Sequence, residues 1–446
     1  MNSYIKEVYD HLVERAPEER EFHQAAKEVL DSLEKVVSEN ETEYRRVALL
    51  ERLVEPERTI IFKVPWEDDN GQMHVNKGYR IQFNGSIGPY KGGLRFNPTV
   101  RLGLLKFLGF EQIFKNSLTG LPIGGAKGGS DFDPSHKSDS EIKRFCKSFM
   151  TELYRHIGPY IDVPAGDLGV TGKEIGFLYG QYRRIKGMSE SGVITGKPIS
   201  IGGSLIRPEA TGYGLSYFLK EILDDNNIDI IGKKVAISGY GNVAWGAALK
   251  MKELGAKVVT LSSSKGYIYV EEGLTKEMID YMLVVRADSN KNLKDLANKF
   301  NLKFRISGKP WEIPVDFALP CATQNELNFE DAKKLVNNGV IAVCEGANMP
   351  CTPDAIHHFE KNNVKYGCGK AANAGGVAIS ALEMSQNSIR YSWTAETVDN
   401  KLVDIMKHIY SSSKEMSLKY NVTLSQGANI AGFLKVANAM LVQGDY

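Results

Sequence analysis

The stretch KKVAISGYGNVAWGAALKMKELG, residues 233–255, constrains the fold of this chain more than any other. A β-rich run, a turn carrying two glycines and a helix-forming run follow one another in that order. Gly239-Tyr240-Gly241-Asn242-Val243-Ala244 forms a G-x-G-x-x-A pattern. In such a turn the first glycine permits a tight reversal, and the second lets a pyrophosphate approach the backbone. The small Ala244 then lets the helix pack closely on its strand. The N–H groups of Asn242, Val243 and Ala244 at the helix start suit phosphate oxygens. Glycines at this spacing also serve plain turns, so it is the strand–turn–helix order that points to a dinucleotide.

The residues around this motif extend the pattern. Short β-rich runs at 233–238, 257–261, 315–319, 340–344 and 364–368 alternate with helical segments, as in parallel βαβ units of a doubly wound sheet. The second run ends at Leu261-Ser262-Ser263-Ser264-Lys265, with no acidic residue before Glu271. An acid there would hold a ribose 2′-hydroxyl, whereas Ser263 and Lys265 suit a 2′-phosphate, so the residues favour NADP over NAD. Residues 3–52 show helical periodicity broken at Ala16-Pro17, and strand-like runs follow at 58–65 and 74–83. An amphipathic helix is expected after Asn97-Pro98-Thr99, ending near Gly120, and another at about 139–157. The expected organisation is two α/β domains, residues 1–200 and 201–423. A terminal helix, 424–446, lies beyond the nucleotide-domain strands and is a candidate to pack back on the first.

Composition excludes several classes. The 446 residues are too many for one core. Lys plus Arg number 55 against 54 Asp plus Glu, which gives no support for a nucleic-acid or anionic-membrane partner. The five cysteines form no close metal-binding pair, so buried thiols and no metal are expected. The opening residues lack an apolar signal core, and no apolar run reaches membrane-spanning length, so a cytoplasmic location is expected.

Three lysines stand in unusual settings: Lys91 in GPYKGGLRF, Lys115 in FEQIFKNSLTG and Lys127 in LPIGGAKGGS. A lysine taken at random is a solvated surface charge. Lys127 departs from that because Gly124, Gly125, Gly128 and Gly129 crowd it. Such a run is a poor helix or strand former, yet it lets a substrate come close to the backbone. A partly desolvated lysine there would have a depressed pKa. Gln112 and Lys115, three apart on a helix, share a face able to bind one carboxylate. Asp167 in PAGDLGV reads, by itself, as an ordinary turn aspartate.

Together these blocks resemble the glutamate dehydrogenase family, and in particular its small hexameric class. LPIGGAKGGSDFDP resembles that family's active-site signature. GPYKGGLRF, PAGDLGV, RPEATGYG, SGYGNVA, CEGAN and AANAGGVAISALEMSQN resemble further blocks in the same order. The resemblance implies an N-terminal α/β substrate and oligomerisation domain, a Rossmann-like nucleotide domain and a homohexamer. It implies reversible oxidative deamination of L-glutamate to 2-oxoglutarate and ammonia with NADP or NAD. By the same resemblance Lys91 and Ser380 would bind the side-chain carboxylate, and Gln112 and Lys115 the α-carboxylate. Lys127 would be the catalytic lysine that activates water, and Asp167 would move protons at the substrate nitrogen beside the Gly166 carbonyl. Thr211, Asn242, Gln324, Asn348 and Asn373 would surround the cofactor.

Local departures from the family pattern fall at Asn84-Gly85-Ser86, ahead of Lys91, and at His136. Rival expectations are a relative acting on branched-chain or aromatic amino acids, and a catalytically silent nucleotide binder on the same fold.

Overall fold

A computed structural model describes residues 2–288 and 290–444. The chain forms two compact units. Unit 1 comprises Met1–Arg207, Val377–Val398 and Ser412–Tyr446, and unit 2 comprises Pro208–Gly376 and Asp399–Ser411. The first crossing thus lies at Arg207–Pro208 rather than near 200. Residues 377–398 and 412–423, expected within the second domain, belong to unit 1. Periodicity marks helices there but carries no information about which core they complete.

Unit 1 is built on a five-stranded mixed sheet. Its strands are β1 (Arg58–Glu67), β2 (Met73–Asn84), β3 (Tyr90–Phe96), β4 (Gly125–Ser130) and β5 (Asp162–Gly166), in the order β1-β2-β4-β3-β5. β1, β2 and β4 pair antiparallel, while β3 runs parallel to β4 and β5. The glycine-rich run, expected to form neither helix nor strand, is the fully buried β4. A side chain at Gly125 would strike Ile113 of the overlying Leu102–Leu118 helix at 2.7 Å, so glycine here lets helix and sheet close up. PAGDLGV likewise begins as strand β5, not wholly as a loop.

That helix is not amphipathic in the expected sense, since none of its residues is fully exposed. Burial all round makes its polar residues costly unless they are paired or used. Lys106 is paired, at 2.6 Å from Glu19. Capping boxes, Ser138 with Glu141 and Thr171 with Glu174, start the Asp139–Leu153 and Gly172–Lys186 helices on the other side. Between them and the sheet lies an aromatic core in which Phe132 and Phe145 stack at 3.8 Å. The Leu424–Gln443 helix buries Phe433 and Val436, and its Gly432 lies against Phe114 of the Leu102–Leu118 helix.

Unit 2 holds a seven-stranded sheet. Its strands are β6 (Lys234–Ile237), β7 (Lys257–Ser263), β8 (Gly266–Tyr269), β9 (Phe304–Ile306), β10 (Phe317–Leu319), β11 (Ala342–Cys344) and β12 (Lys365–Gly367). The order is β12-β11-β10-β6-β7-β8-β9, with β8 alone reversed, pairing antiparallel with both β7 and β9. β6 lies between β10 and β7, where the winding direction reverses, and ligands of open α/β sheets bind at such a point. Among the described residues no helix is long and apolar enough to cross a membrane, and no three His, Cys, Asp or Glu side chains form a metal-holding group.

Candidate active site

The residues singled out for substrate all fall in unit 1, and those for cofactor all fall in unit 2. In unit 1, Lys127 lies in the middle of β4 and Asp167 just beyond β5. β3 lies between those strands, and it is Gly93 of β3 that leaves room for the pair. A Cβ there would meet the Asp167 Cβ at 2.8 Å and the Lys127 Nζ at 3.4 Å. Lys127 Nζ lies 2.8 Å from Asp167 Oδ2, and Arg95 Nε donates to the same oxygen at 3.0 Å. Burial lowers the Lys127 ammonium below its ordinary value, opposed by Asp167 and aided by Arg95. Burial pushes the Asp167 carboxyl up, but the two cations outweigh it and hold the group well below the usual carboxylate range. The sequence assigns Arg95, in GPYKGGLRF, no role, because its proximity to Asp167 is a product of strand order.

Lys91, on β3, is 1% exposed. Its Nζ donates to Thr195 Oγ1 at 2.8 Å. Burial lowers its pKa far below the lysine range, and the Arg80 and Arg207 charges add to the effect. Ser380, on the Gly375–Ile389 helix, is buried, and Gly166 closes β5 opposite Leu94. Gln112 and Lys115 are half-buried on the Leu102–Leu118 helix, where Gln112 donates to Asn116 Oδ1 at 2.6 Å. Asn116 in turn donates to the Lys91 carbonyl at 3.0 Å, which links this helix to β3. Sequence reasoning missed Thr195 and Arg207. Arg207 Nε is a buried donor without a hydrogen-bond partner among the described residues. No spacing signal reaches across the 104 positions between Lys91 and Thr195.

In unit 2 the glycine-rich turn follows β6. Gly239 takes φ 82°, a left-handed conformation that favours glycine, and its N–H donates to Ser262 Oγ at 2.9 Å. Gly241 caps the Asn242–Glu253 helix without a side-chain hydrogen bond, and the space a Cβ would take at Gly241 is open. Val243 follows Asn242 in the first turn, and the third small residue, Ala244, is fully buried against the sheet. A helix start without a side-chain cap, with open space at Gly241, fits a pyrophosphate.

Most of the other cofactor candidates lie at or just beyond the carboxyl ends of neighbouring strands. Ser263 ends β7 and Lys265 lies in the turn after it, where the Lys265 N–H donates to Ser263 Oγ at 3.3 Å. Gln324 is exposed after β10, and Asn348 is exposed after β11. Asn373 follows β12 and donates to the Ala347 carbonyl and to Asn348 Oδ1, both at 3.0 Å. Asn373 Oδ1 is a buried acceptor without a hydrogen-bond partner among the described residues, which suits a carboxamide donor. Thr211 sits in the first turn of the Ala210–Asp225 helix. Arg286, also missed, reaches Asn242 Oδ1 with one guanidinium nitrogen, while its Nη1 is buried without a hydrogen-bond partner.

One unit thus carries a nucleotide-type phosphate cradle, and the other a buried lysine–aspartate pair with a second buried lysine on the strand between them. Two family models match the chain, "Glutamate/Leucine/Phenylalanine/Valine dehydrogenase" over residues 202–444 and "Glu/Leu/Phe/Val dehydrogenase, dimerisation domain" over residues 56–184. The chain belongs to the Glu/Leu/Phe/Val dehydrogenase family.

Within that family its full-length similarity runs to glutamate dehydrogenases. It is 56% identical to the NAD-specific glutamate dehydrogenase of Clostridium symbiosum, covering 100% of this chain and 99% of that one. It is 52% identical to the NADP-specific glutamate dehydrogenase of Giardia intestinalis, covering 99% and 98%. A solved glutamate dehydrogenase structure superposes with a TM-score of 0.97 at 56% identity, covering 99% of each chain.

Proposed function

We propose that this chain interconverts L-glutamate with 2-oxoglutarate and ammonia, using NADP in preference to NAD. The observation that carries the reading is Lys127 held 2.8 Å from Asp167, together with the buried Lys91, which hydrogen-bonds to the neutral Thr195 hydroxyl. Lys91 and Ser380 bind the side-chain carboxylate, and Gln112 and Lys115 hold the α-carboxylate. A dicarboxylate drawn out of water needs cations or donors at both ends. An apolar substrate side chain would leave Lys91 a buried unpaired charge, which argues against the branched-chain and aromatic specificities.

Lys127, with its lowered pKa, takes a proton from water as it adds to the substrate imine, and returns it when water leaves. Asp167 moves protons to and from the substrate nitrogen, beside the Gly166 carbonyl. The nicotinamide, when bound, supplies or accepts the hydride. Thr211, Asn242, Gln324, Asn348 and Asn373 would surround the cofactor, several of them near the nicotinamide, while the turn from Gly239 to Ala244 would take the pyrophosphate. Ser263 and Lys265, in a stretch with no acidic residue before Glu271, support the 2′-phosphate, and Arg286 is a further cation near the turn. Relatives of both cofactor specificities are similar to this chain, so the preference rests on these residues. A homohexamer belongs to the same proposal, in keeping with a family model described as a dimerisation domain.

Oxidation of NADPH and NADH side by side, with 2-oxoglutarate and ammonium, tests the reading. Ammonium-dependent turnover faster with NADPH, and none with 2-oxoisocaproate, is expected. Folded protein inactive with both cofactors would sink the enzymatic reading, and faster turnover with NADH would reverse the cofactor preference.

A further inference from the structure

Lys91 lies in a field of four charged groups. Glu383 and Asp162 favour its charged form, while Arg80 and Arg207 oppose it. Each of the two carboxylates already has a cation of its own. Asp162 takes both Arg80 Nε, at 2.9 Å, and Arg80 Nη2, and it also accepts from Gln82 Nε2 at 3.0 Å. Glu383 Oε1 lies 2.6 Å from Lys197 Nζ, and both side chains are fully buried. Glu383 Oε2 accepts the Gly196 N–H at 2.9 Å, and Lys197 Nζ also donates to the Ile194 carbonyl at 2.6 Å. Lys91, by contrast, hydrogen-bonds to the neutral Thr195 hydroxyl.

The arrangement is compact in sequence as well. Thr195, Gly196 and Lys197 are consecutive, so one segment gives Lys91 a neutral acceptor and Glu383 its cation. Glu383 lies one helical turn beyond Ser380, so the two share a face of the Gly375–Ile389 helix. Glu383 accepts from Gly196, the residue next to the Thr195 that holds Lys91, so an unclaimed carboxylate there would be drawn to the buried ammonium.

We propose that Lys197 is a specificity-determining positioning residue, which occupies Glu383 so that Lys91 and Arg207 stay available to a substrate carboxylate rather than to an internal one. This rests on the assignment of Lys91 to the substrate side-chain carboxylate. Four cations, Lys91, Arg80, Arg207 and Lys197, then share two carboxylates, Asp162 and Glu383, and a dicarboxylic substrate brings a further negative charge to Lys91 and Arg207. A plain structural role for the Lys197–Glu383 pair would make the opposite prediction about removing Glu383.

The test compares full-length wild type, K197M, E383Q, K197M/E383Q and K91M, with KM for 2-oxoglutarate, KM for NADPH and kcat measured separately. K197M is expected to raise KM for 2-oxoglutarate roughly ten- to a hundredfold, with KM for NADPH changed by less than about twofold. The double variant K197M/E383Q should return KM for 2-oxoglutarate to within about fivefold of wild type, because no internal carboxylate then competes for Lys91. E383Q alone leaves Lys197 charged and should keep that KM at or below the wild-type value. A raised KM in E383Q, an unrescued double variant or a K197M with wild-type KM would each overturn the proposal. If K197M does not fold, the sign of the E383Q effect decides alone. K91M separates the two levels: a wild-type KM in K91M overturns the pocket assignment itself. A raised KM in K91M, with failure of the other variants, overturns only the role of Lys197.

Discussion

Asp167 accepts from Lys127 and Arg95 on one oxygen, so three charges share a space opened by the absence of a side chain at Gly93. Removing Arg95 takes a positive charge from beside both partners and must raise both pKa values. Arg95→Gln is therefore expected to move the acidic and basic limbs of the kcat/KM pH profile to higher pH. Unmoved limbs would show that Arg95 does not tune the pair. Lys127→Ala should lower kcat by roughly a thousandfold or more while NADPH still binds, as followed by its fluorescence. Normal turnover in that variant would remove Lys127 from the chemistry.

Among the elements, strand ends and loops around β11 and β12 are fastened by one buried acid. Glu345, just past β11, accepts from the Cys351 N–H at 3.2 Å and the Gly369 N–H at 2.7 Å. It thereby ties together the segments that carry Asn348 and Asn373. Burial raises its pKa to about 7, against the lowering effect of the Tyr366 hydroxyl and the two N–H donors. A raised folded pKa means that the folded state keeps a proton the unfolded chain has lost. This contribution to stability is full below the unfolded carboxyl range and is lost as pH rises through about 7. Urea midpoints of wild type and Glu345→Gln, measured from pH 5 to pH 8, should differ in slope. The wild type should show the extra fall with rising pH, and parallel slopes would refute the assignment.

At the scale of the whole molecule the chain passes between its two units at Arg207–Pro208, Gly376–Val377, Val398–Asp399 and Ser411–Ser412. Unit 1 is thus finished by the Leu424–Gln443 helix. Stopping at residue 423 removes the buried Phe433 and Val436 and uncovers one side of the Leu102–Leu118 helix that carries Gln112 and Lys115. Burial of each such side chain stabilises by roughly 1.5–3 kcal/mol, so this truncation should unfold unit 1 at markedly lower urea. An unfolding profile like that of the full chain would show the helix to be dispensable. The sequence by itself determined the features written in consecutive residues: the helical periodicities, the Gly239–Ala244 turn after its strand, and the unusual settings of Lys91 and Lys127. Tertiary structure alone decided that a glycine-rich run is a buried central strand, because its missing side chains are filled by the Leu102–Leu118 helix. It alone brought Thr195 to Lys91, Arg95 to Asp167 and Glu383 to Lys197. Those partners are set by strand order and chain crossing between distant segments, and a buried charge is satisfied by whatever the fold brings near it.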